Sequence, residues 1–308
     1  MYHRELVLRT PLISFNERIQ LKPECLQKFG SYKIRGLISA INEALPHRIV
    51  HGLEAASAGN LAQPLAHLAQ LHKIPCRIHV PIEAPEVKKL AIRRLGAEVI
   101  ELPFLDVWKL VQNPPEIAGL FVHPVFTPGL LQGYGTIAQE ILADAPDADA
   151  VVVPFGVGGL TLGIARALRE LNSTAHVYGC EPETAAPLSL SIAQTKACTI
   201  QRVASFVDAI GTSEVLPAVF NESQSLKVKS LTVTLEQIRA AMLDLLTSHK
   251  IVTEGAGAAA LAGAINLAKY SDRRKVVAVL SGGNIAPQLF FKLCEQAANS
   301  IHGMSHRI

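Results

Sequence analysis

Apolar positions along the chain follow two alternating patterns. Residues 150–154 (AVVVP) and 275–280 (KVVAVL) are short, nearly continuous apolar runs, typical of strands that are covered on both faces. Residues 61–72 and 160–171 repeat apolar positions at helical spacing and predict amphipathic helices. The same criteria predict further strands at residues 48–55, 76–80, 97–102 and 176–180, and further helices at residues 34–45, 86–95 and 288–298. Strands separated by helices in this way predict βαβ units and an α/β fold with open parallel sheets.

The size and composition of the chain fit a folded protein of two domains. With 308 residues, of which 49% are hydrophobic and 18% charged, the chain can bury a large core and is not expected to be disordered. No linker-like or repeated segment marks a boundary, so we expect the chain to cross between the domains more than once. The longest charge-free stretches, residues 150–165 and 255–268, are shorter than a membrane span, so no membrane segment is expected.

Charge and cysteine content exclude several classes of partner. The net charge is +3 and no basic block occurs, so binding to nucleic acid is not indicated. The five cysteines are far apart and never form a CxxC pair, which argues against a disulfide framework or a zinc site. The N-terminus carries no apolar run of signal-peptide length. We therefore expect a protein of a reducing compartment, most simply the cytoplasm.

One strand-to-helix junction is rich in glycine, and open α/β sheets bind ligands at such junctions. Residues 155–163 (FGVGGLTLG) follow the predicted 150–154 strand, and main-chain N–H groups at a helix start would suit a phosphate. Gly156 and Gly158 begin a GxGxxG pattern, but its third position is Thr161, so the dinucleotide fingerprint is not formed. The alternative is that these glycines only allow tight packing of the strand on the helix.

Two other junctions carry small polar residues, and a lysine precedes another predicted helix. Residues 56–60 (ASAGN) would suit a carboxylate at a helix start, or Ser57 or Asn60 would simply cap that helix. Ser281, in LSGGN, alone predicts no more than a turn. Lys33 stands just before the helix predicted at residues 34–45, where a lone lysine is usually a solvated surface residue. Together, an amine, a phosphate cradle and a carboxylate cradle are what an aldehyde cofactor and an amino-acid substrate require.

Four motifs in this order carry a resemblance to a known family. GSYKIRG at residues 30–36, SAGN at 57–60, the glycine-rich turn and SGGN at 281–284 resemble the pyridoxal-phosphate-dependent serine/threonine dehydratase family. The resemblance extends over nearly the whole chain and implies the tryptophan-synthase-β-like fold, a two-domain, three-layer architecture with open parallel sheets. It implies a homodimer and two domains, which are a larger domain that binds pyridoxal 5′-phosphate (PLP), residues 1–50 and 128–308, and a smaller substrate-gating domain, residues 51–127.

The resemblance assigns a role to each motif residue. Lys33 would bond to the PLP aldehyde and later move the α-proton of the substrate, and Tyr32 would lie against the pyridine ring. Asn60 would bond to the ring hydroxyl, Glu254 would lie near the ring edge, and Ser281 would face the pyridine nitrogen. The phosphate would be held by the main chain of Gly156, Val157, Gly158, Gly159 and Leu160. The substrate carboxylate would be held by Ser57, Ala58, Gly59 and Asn60.

Two of these residues bear on the type of reaction. The neutral hydroxyl of Ser281 would leave the pyridine nitrogen largely uncharged, which favours loss of a β-substituent over transamination. Ala58 stands where racemases of the family have a serine base, and a methyl group cannot move a proton, so we expect negligible racemisation.

Other positions depart from the pattern of the family. Glu181 and the carbonyl of Ala185 match two ligands of a divalent cation. A third ligand falls on Pro187, for which Glu183 could substitute, so binding of Mg²⁺ or Ca²⁺ is left open. The GQGT motif of the family is GYGT here, with Tyr134 in place of glutamine. Val157 interrupts a run of glycines, and phosphate binding then requires that its φ angle is negative.

These observations predict a PLP-dependent ammonia-lyase. It would eliminate water from L-threonine, L-serine or a related β-hydroxy amino acid and release an enamine that hydrolyses to a 2-oxo acid and ammonia. One alternative on the same fold is β-replacement of the cysteine-synthase type, in which an external nucleophile adds. A second alternative is a PLP-binding paralogue with little turnover. An NAD-binding domain is disfavoured by the missing third glycine.

Overall fold

The computed structural model describes residues 3–44, 46–57, 59–84, 86–270 and 275–305. The strands within these ranges are β1 Ile13–Ser14, β2 Ile19–Lys22, β3 Leu53–Ala56, β4 Cys76–Pro81, β5 Glu98–Leu102, β6 Leu120–Phe121, β7 Ala150–Pro154, β8 His176–Pro182, β9 Lys229–Val233 and β10 Val276–Val279. The helices are α1 Lys33–Glu43, α2 Pro46–Ile49, α3 Ala62–His72, α4 Glu86–Arg94, α5 Phe104–Gln112, α6 Leu130–Asp144, α7 Gly159–Glu170, α8 Pro187–Gln194, α9 Pro217–Ser225, α10 Leu235–His249, α11 Gly255–Tyr270 and α12 Pro287–Ser305. Strands and helices therefore alternate through most of the chain, as the apolar pattern predicts.

The chain divides into two compact units, and each contains one sheet. The first unit comprises residues 1–8 and 27–134, and the second comprises residues 9–26 and 135–308. The sheet of the first unit has four strands in the order β5-β4-β3-β6, and all neighbouring strands are parallel. Helices α3 and α5 pack against its central strands. Because parallel strands require crossover connections, the helices that join them cover the sheet.

The sheet of the second unit has six strands in the order β1-β2-β10-β7-β8-β9. Strand β1 is antiparallel to β2 at one edge, and all other neighbours are parallel. Every residue of β7 and β10 is buried, as expected of central parallel strands covered on both faces. The small residues of α11 let this helix approach the sheet closely, since a Cβ on Gly263 would lie 2.8 Å from the Cys180 sulfur.

Most predicted elements are confirmed, and one is half wrong. The strand predicted at 150–154 is β7 with the same bounds, and the other confirmed strands end within one or two residues of the prediction. The strand predicted at 48–55 begins only at Leu53, because residues 46–49 form α2 and Gly52 turns the chain with φ +107°. A Cβ on Gly52 would lie 2.8 Å from the Pro75 carbonyl oxygen, so the turn brings two backbone segments close together.

The compact units and the predicted domains divide the chain at different residues, and the predicted domains stay a prediction. Residues 27–50 group with the four-stranded sheet, because α1 packs against α3 in the first unit. The predicted split placed them in the larger domain, 1–50 plus 128–308, apart from 51–127. The roles assigned to the two domains, PLP binding and substrate gating, stay a prediction. Among the described helices, none combines the length and the apolar character that crossing a membrane requires.

Candidate active site

The predicted site residues are distributed over both compact units. Tyr32, Lys33, Ser57, Gly59 and Asn60 belong to the first unit. The second unit contains the residues predicted at the phosphate, the ring and the cation, which are Gly156, Val157, Gly158, Gly159, Leu160, Glu181, Ala185, Glu254 and Ser281. Ala58 lies outside the described residues.

Lys33 is the first residue of α1, one position earlier than the helix predicted from the sequence. The residue is half-buried. The Lys33 Nζ lies over the ring of Tyr32, 4.8 Å from the centroid, and 5.7 Å from the ring centroid of Tyr134. Both distances allow a cation–π interaction with the lysine ammonium.

Tyr134 is a residue that the sequence marked only as a departure from the GQGT motif. It is fully buried, and its ring meets that of Tyr32 edge to face with a centroid distance of 4.8 Å. Burial raises the pKa of Tyr134 well above its ordinary value, so the hydroxyl stays protonated at neutral pH. The exchange of glutamine for an aromatic residue was the available signal, but nothing in the sequence placed Tyr134 beside Lys33.

His123 lies in the same unit, and its hydrogen bonds hold the ring in one tautomer. Its Nδ1 accepts hydrogen bonds from the N–H groups of Val125 and Phe126 at 3.0 and 2.9 Å, and Nε2 donates to the carbonyl of Val111 at 2.8 Å. Burial and the positive charge of Lys33 lower the pKa of His123. The ring is therefore a neutral structural element.

The loop after β3 leads into α3 without a side-chain cap. Helix α3 begins at Ala62, and its N-cap residue is Leu61, so the interpretation of Ser57 or Asn60 as the helix cap is wrong. The N–H of Ser57 extends the sheet by donating to the His79 carbonyl at 2.9 Å. The N–H of Gly59 faces the Ser57 hydroxyl at 3.3 Å. The loop therefore presents small polar groups at the carboxyl end of β3, just before a helix start.

The glycine-rich turn leads from β7 into α7. Gly158 is the N-cap residue with φ +92°, and no side chain caps the first turn of α7. A Cβ on Gly158 would lie 2.5 Å from Val219 Cγ1 of α9, so this glycine is closely packed against a neighbouring helix. Val157 does not adopt a positive φ, which meets the condition set for phosphate binding. Uncapped N–H groups at a helix start are the donors that a phosphate needs.

The Ser281 turn lies at the same sheet edge as the glycine-rich turn. Strands β10 and β7 are parallel neighbours, with Ala278 opposite Val152, so their carboxyl ends meet at one edge. The side chain of Ser281 is 4% exposed. The N–H of Glu254, just before α11, donates to the Gly282 carbonyl at 3.1 Å. The second unit therefore brings Glu254, the Ser281 turn and the phosphate turn to neighbouring strand ends.

A cysteine also contacts this turn, but its chemistry excludes it as a nucleophile. The N–H of Cys25 donates to the Leu280 carbonyl at 2.9 Å. Burial raises the pKa of Cys25 to about 12, so its thiol is protonated at neutral pH.

The residues predicted at a divalent cation do not fit one. The two carboxylate oxygens of Glu181 accept the N–H groups of Leu188 and Ser189, at 2.8 and 2.9 Å, and so cap α8. Glu183 accepts the N–H of Leu235 at 2.9 Å at the start of α10. Burial raises the pKa of Glu181 to about 8. In the described ranges no three acidic, histidine or cysteine residues form a metal-binding group, whereas Mg²⁺ and Ca²⁺ need six or more oxygen ligands.

The residues of each unit fit the parts of PLP that the resemblance assigns to them. The second unit offers an uncapped helix start after a glycine turn for a phosphate, and a buried hydroxyl on Ser281 for a neutral ring nitrogen. The first unit offers the Lys33 amine beside an aromatic ring. These donors match the cofactor in charge and in polarity.

Comparisons with known proteins agree with this chemistry. The family described as "Pyridoxal-phosphate dependent enzyme" matches residues 4–282. The L-threonine ammonia-lyase of Thermotoga maritima is 37% identical over 270 residues, which cover 87% of this chain and 67% of the relative. The L-threonine ammonia-lyase of Geobacter sulfurreducens is 35% identical over 292 residues, covering 92% of this chain and 73% of the relative.

Solved structures share the fold over nearly the whole chain. The processed form of threonine deaminase isoform 2 from Solanum lycopersicum has a TM-score of 0.85 at 27% identity and covers 95% of this chain and 89% of its own. Maize serine racemase has a TM-score of 0.83 at 27% identity, and the match covers 96% of this chain and 94% of the racemase chain. Since these two names denote different reactions, the fold alone does not choose between elimination and racemisation. The match over residues 4–282 does establish the family: this chain belongs to the pyridoxal-phosphate-dependent enzymes.

Proposed function

We propose that this chain is a PLP-dependent ammonia-lyase that eliminates water from L-threonine, L-serine or a related β-hydroxy amino acid. The enamine that is released takes up water again and hydrolyses to a 2-oxo acid and ammonia. The observation that carries the proposal is the identity of 35% and 37% to two L-threonine ammonia-lyases over most of the chain. L-Threonine and L-serine are named together because they differ by one methyl group, and a single methyl group gives only modest discrimination in a binding site.

Lys33 is the residue that moves protons in this proposal. Bound PLP supplies an electron sink, which makes the α-proton of an amino acid removable and its β-hydroxyl a leaving group. Lys33 takes the α-proton at Nζ, holds it as an ammonium, and can return it to the departing hydroxyl. Its place as the first residue of α1 supports this role, because a helix fixes the origin of the side chain.

The loop after β3 binds the carboxylate of the substrate in this proposal. Ser57, Ala58, Gly59 and Asn60 supply N–H groups and small side chains ahead of α3, whose positive end attracts an anion. Ala58 also bears on the outcome, because its methyl group cannot carry a proton to the opposite face of the substrate. We therefore propose elimination with negligible racemisation.

The remaining residues orient the cofactor. The main chain of the glycine-rich turn, which comprises Gly156, Val157, Gly158, Gly159 and Leu160, would donate hydrogen bonds to the phosphate of PLP. Tyr32 would lie against the ring, Asn60 would bind the ring hydroxyl, and Glu254 would lie at the ring edge. Ser281 would present a neutral hydroxyl to the pyridine nitrogen, which would then not be held protonated, and this favours elimination.

The assembly and location of the protein are also proposals. We propose a homodimer, as expected for this family, and a cytoplasmic location, which the five free cysteines support. Light scattering coupled to size exclusion would give the mass of the assembly, and a mass near 33.1 kDa would refute the dimer.

The role of Lys33 is tested by trapping the cofactor. Borohydride treatment of the purified protein followed by peptide mapping should place the reduced cofactor on Lys33. The exposed Lys28, five residues earlier, provides the matched control. Lys28→Ala should keep the label and the release of 2-oxo acid from β-hydroxy amino acids, and Lys33→Ala should lose both. A label on another lysine, or no label, would refute the proposal.

The alternatives are separated by the products. L-Serine is supplied with and without sulfide, and 2-oxo acid, ammonia and cysteine are measured. Ammonia and 2-oxo acid in both cases support the lyase, whereas cysteine formed only with sulfide supports β-replacement. Cofactor bound to Lys33 without turnover of any β-hydroxy amino acid supports the low-activity paralogue.

A further inference from the structure

The ring of Tyr134 lies across the same face of α1 that carries Lys33. A Cβ on Gly36 would lie 2.3 Å from Cε1 and 2.8 Å from Cζ of Tyr134, so the ring fills the space that a side chain at position 36 would take. Residues 33 and 36 are three apart on a helix and share a face. Tyr134 is therefore packed beside the lysine and against the first turn of its helix.

Two aromatic rings approach the amine of Lys33. The Lys33 Nζ is 4.8 Å from the ring centroid of Tyr32 and 5.7 Å from that of Tyr134, within the distance of about 6 Å at which ring faces attract cations. The rings support each other in an edge-to-face pair. Tyr134 thus contributes a second ring to the environment of this amine.

Three of the titratable groups around the amine carry no negative charge near neutral pH. They are the two tyrosine hydroxyls, which ordinarily ionise near pH 10, and His123. The Nδ1 of His123 accepts main-chain hydrogen bonds from Val125 and Phe126, so it carries no proton. Among these groups, the attraction for an ammonium comes from the aromatic faces.

The hydroxyl of Tyr134 does not account for the presence of the ring. The oxygen is buried and has no hydrogen-bond partner within the described part of the chain. A buried hydroxyl without a partner destabilises a protein, so phenylalanine should be tolerated or preferred if the ring is what matters. The ring and the hydroxyl can therefore be separated by substitution.

We propose that Tyr134 is a positioning residue for Lys33: together with Tyr32, its ring forms an aromatic clamp that favours the protonated form of the Lys33 nitrogen. The inference rests on the proposed function of Lys33. In that reaction Nζ must keep the proton it has taken until the β-hydroxyl leaves, and a clamp that favours the cation lengthens that interval.

The clamp is tested by a pH titration of the full-length protein with its cofactor. The visible absorbance of PLP bonded to Lys33 changes with protonation of the shared nitrogen, and its midpoint pH reports how the surroundings favour the proton. Tyr134→Leu should lower the midpoint by about one pH unit, because the cation–π attraction is lost. Tyr134→Phe should keep the midpoint of the unmodified protein, because the ring remains.

A variant of unchanged shape covers the case in which Tyr134→Leu does not fold. In this variant Tyr134 is replaced by a phenylalanine that carries three fluorine atoms on its ring. The packing is kept, but the negative face of the ring is weakened, so the midpoint pH should be lowered, as expected for Tyr134→Leu. A fluorinated variant that titrates like Tyr134→Phe refutes the clamp. Borohydride mapping separates the two hypotheses: a cofactor absent from Lys33 refutes the proposed function, whereas a cofactor on Lys33 with an unshifted midpoint refutes only the clamp.

Discussion

Gly158 is the position at which the glycine-rich turn should tolerate a side chain least. Its φ of +92° favours glycine, and an added Cβ would lie 2.5 Å from Val219 Cγ1 and 3.2 Å from ring atoms of Phe155. Gly158→Ala therefore introduces two separate penalties, which are backbone strain and overlap in a packed interior. We expect both in the free energy of unfolding.

The two penalties can be estimated separately. A residue with a side chain at such a φ costs about 1–2 kcal/mol. Forcing a methyl group into a packed site costs about 1–3 kcal/mol more. Gly158→Ala should therefore lose about 2–5 kcal/mol of stability. The matched control is Gly96→Ala, with φ +82° and no atom within 4 Å of the added Cβ, which should lose only the strain of about 1–2 kcal/mol.

Urea unfolding followed by far-UV circular dichroism measures both losses, with the slope of the transition checked against the unmodified protein. Adding Val219→Ala to Gly158→Ala removes the 2.5 Å contact, so the double variant should destabilise less than the sum of the two single variants. The reasoning is refuted if Gly158→Ala costs no more than Gly96→Ala. Strictly additive losses of Gly158→Ala and Val219→Ala would refute the contact.

Three further changes test other parts of the structure. The pKa of His123 is lowered in the folded protein, so the unfolded chain binds more protons as pH falls below about 6.5 and stability declines there. In urea titrations at a series of pH values, His123→Gln should flatten this decline. Because the Glu181 carboxylate caps α8, Glu181→Ala should lower the free energy of unfolding by about 2 kcal/mol. EDTA should leave the thermal midpoint of the unmodified protein unchanged, and a midpoint raised by Mg²⁺ would contradict the assignment of Glu181 as a helix cap. Gly59→Ala should keep stability, since an added Cβ meets no atom within 4 Å, but should raise the KM for the amino acid; an unchanged KM would count against the carboxylate loop.

The sequence predicts elements best where one physical demand dominates. Strand β7 is buried on both faces, so every position must be apolar, and the run AVVVP sets both of its ends. The strand predicted at residues 48–55 is wrong in its first half, because the apolar residues at 48–51 precede the sheet and β3 begins only at Leu53. Its boundary depends on the close approach of Gly52 to Pro75, a contact between residues far apart in sequence.

The candidate site shows the same limit. Motif order is enough to propose Lys33 and the two ligand turns, because small residues at strand ends are local features. The contact of Tyr134 with Gly36 and the capping of α8 by Glu181 depend on tertiary packing. A glutamate in a motif is equally compatible with a cation ligand and with a helix cap, and only the positions of the Leu188 and Ser189 N–H groups distinguish them.

The glycines of the predicted ligand loops differ in whether the packing of the folded chain requires glycine at their position. Gly156, Gly158 and Gly283 each have a neighbour within 3.3 Å of an added Cβ, so packing alone would select glycine there whether or not a ligand binds. Gly59 has open space around it and does not adopt a positive φ, so neither packing nor backbone conformation requires glycine. A ligand that approaches the main chain would supply the requirement that the folded chain lacks. The glycine in the open loop after β3 is therefore stronger support for a bound ligand than the glycines of the more recognisable turn after β7.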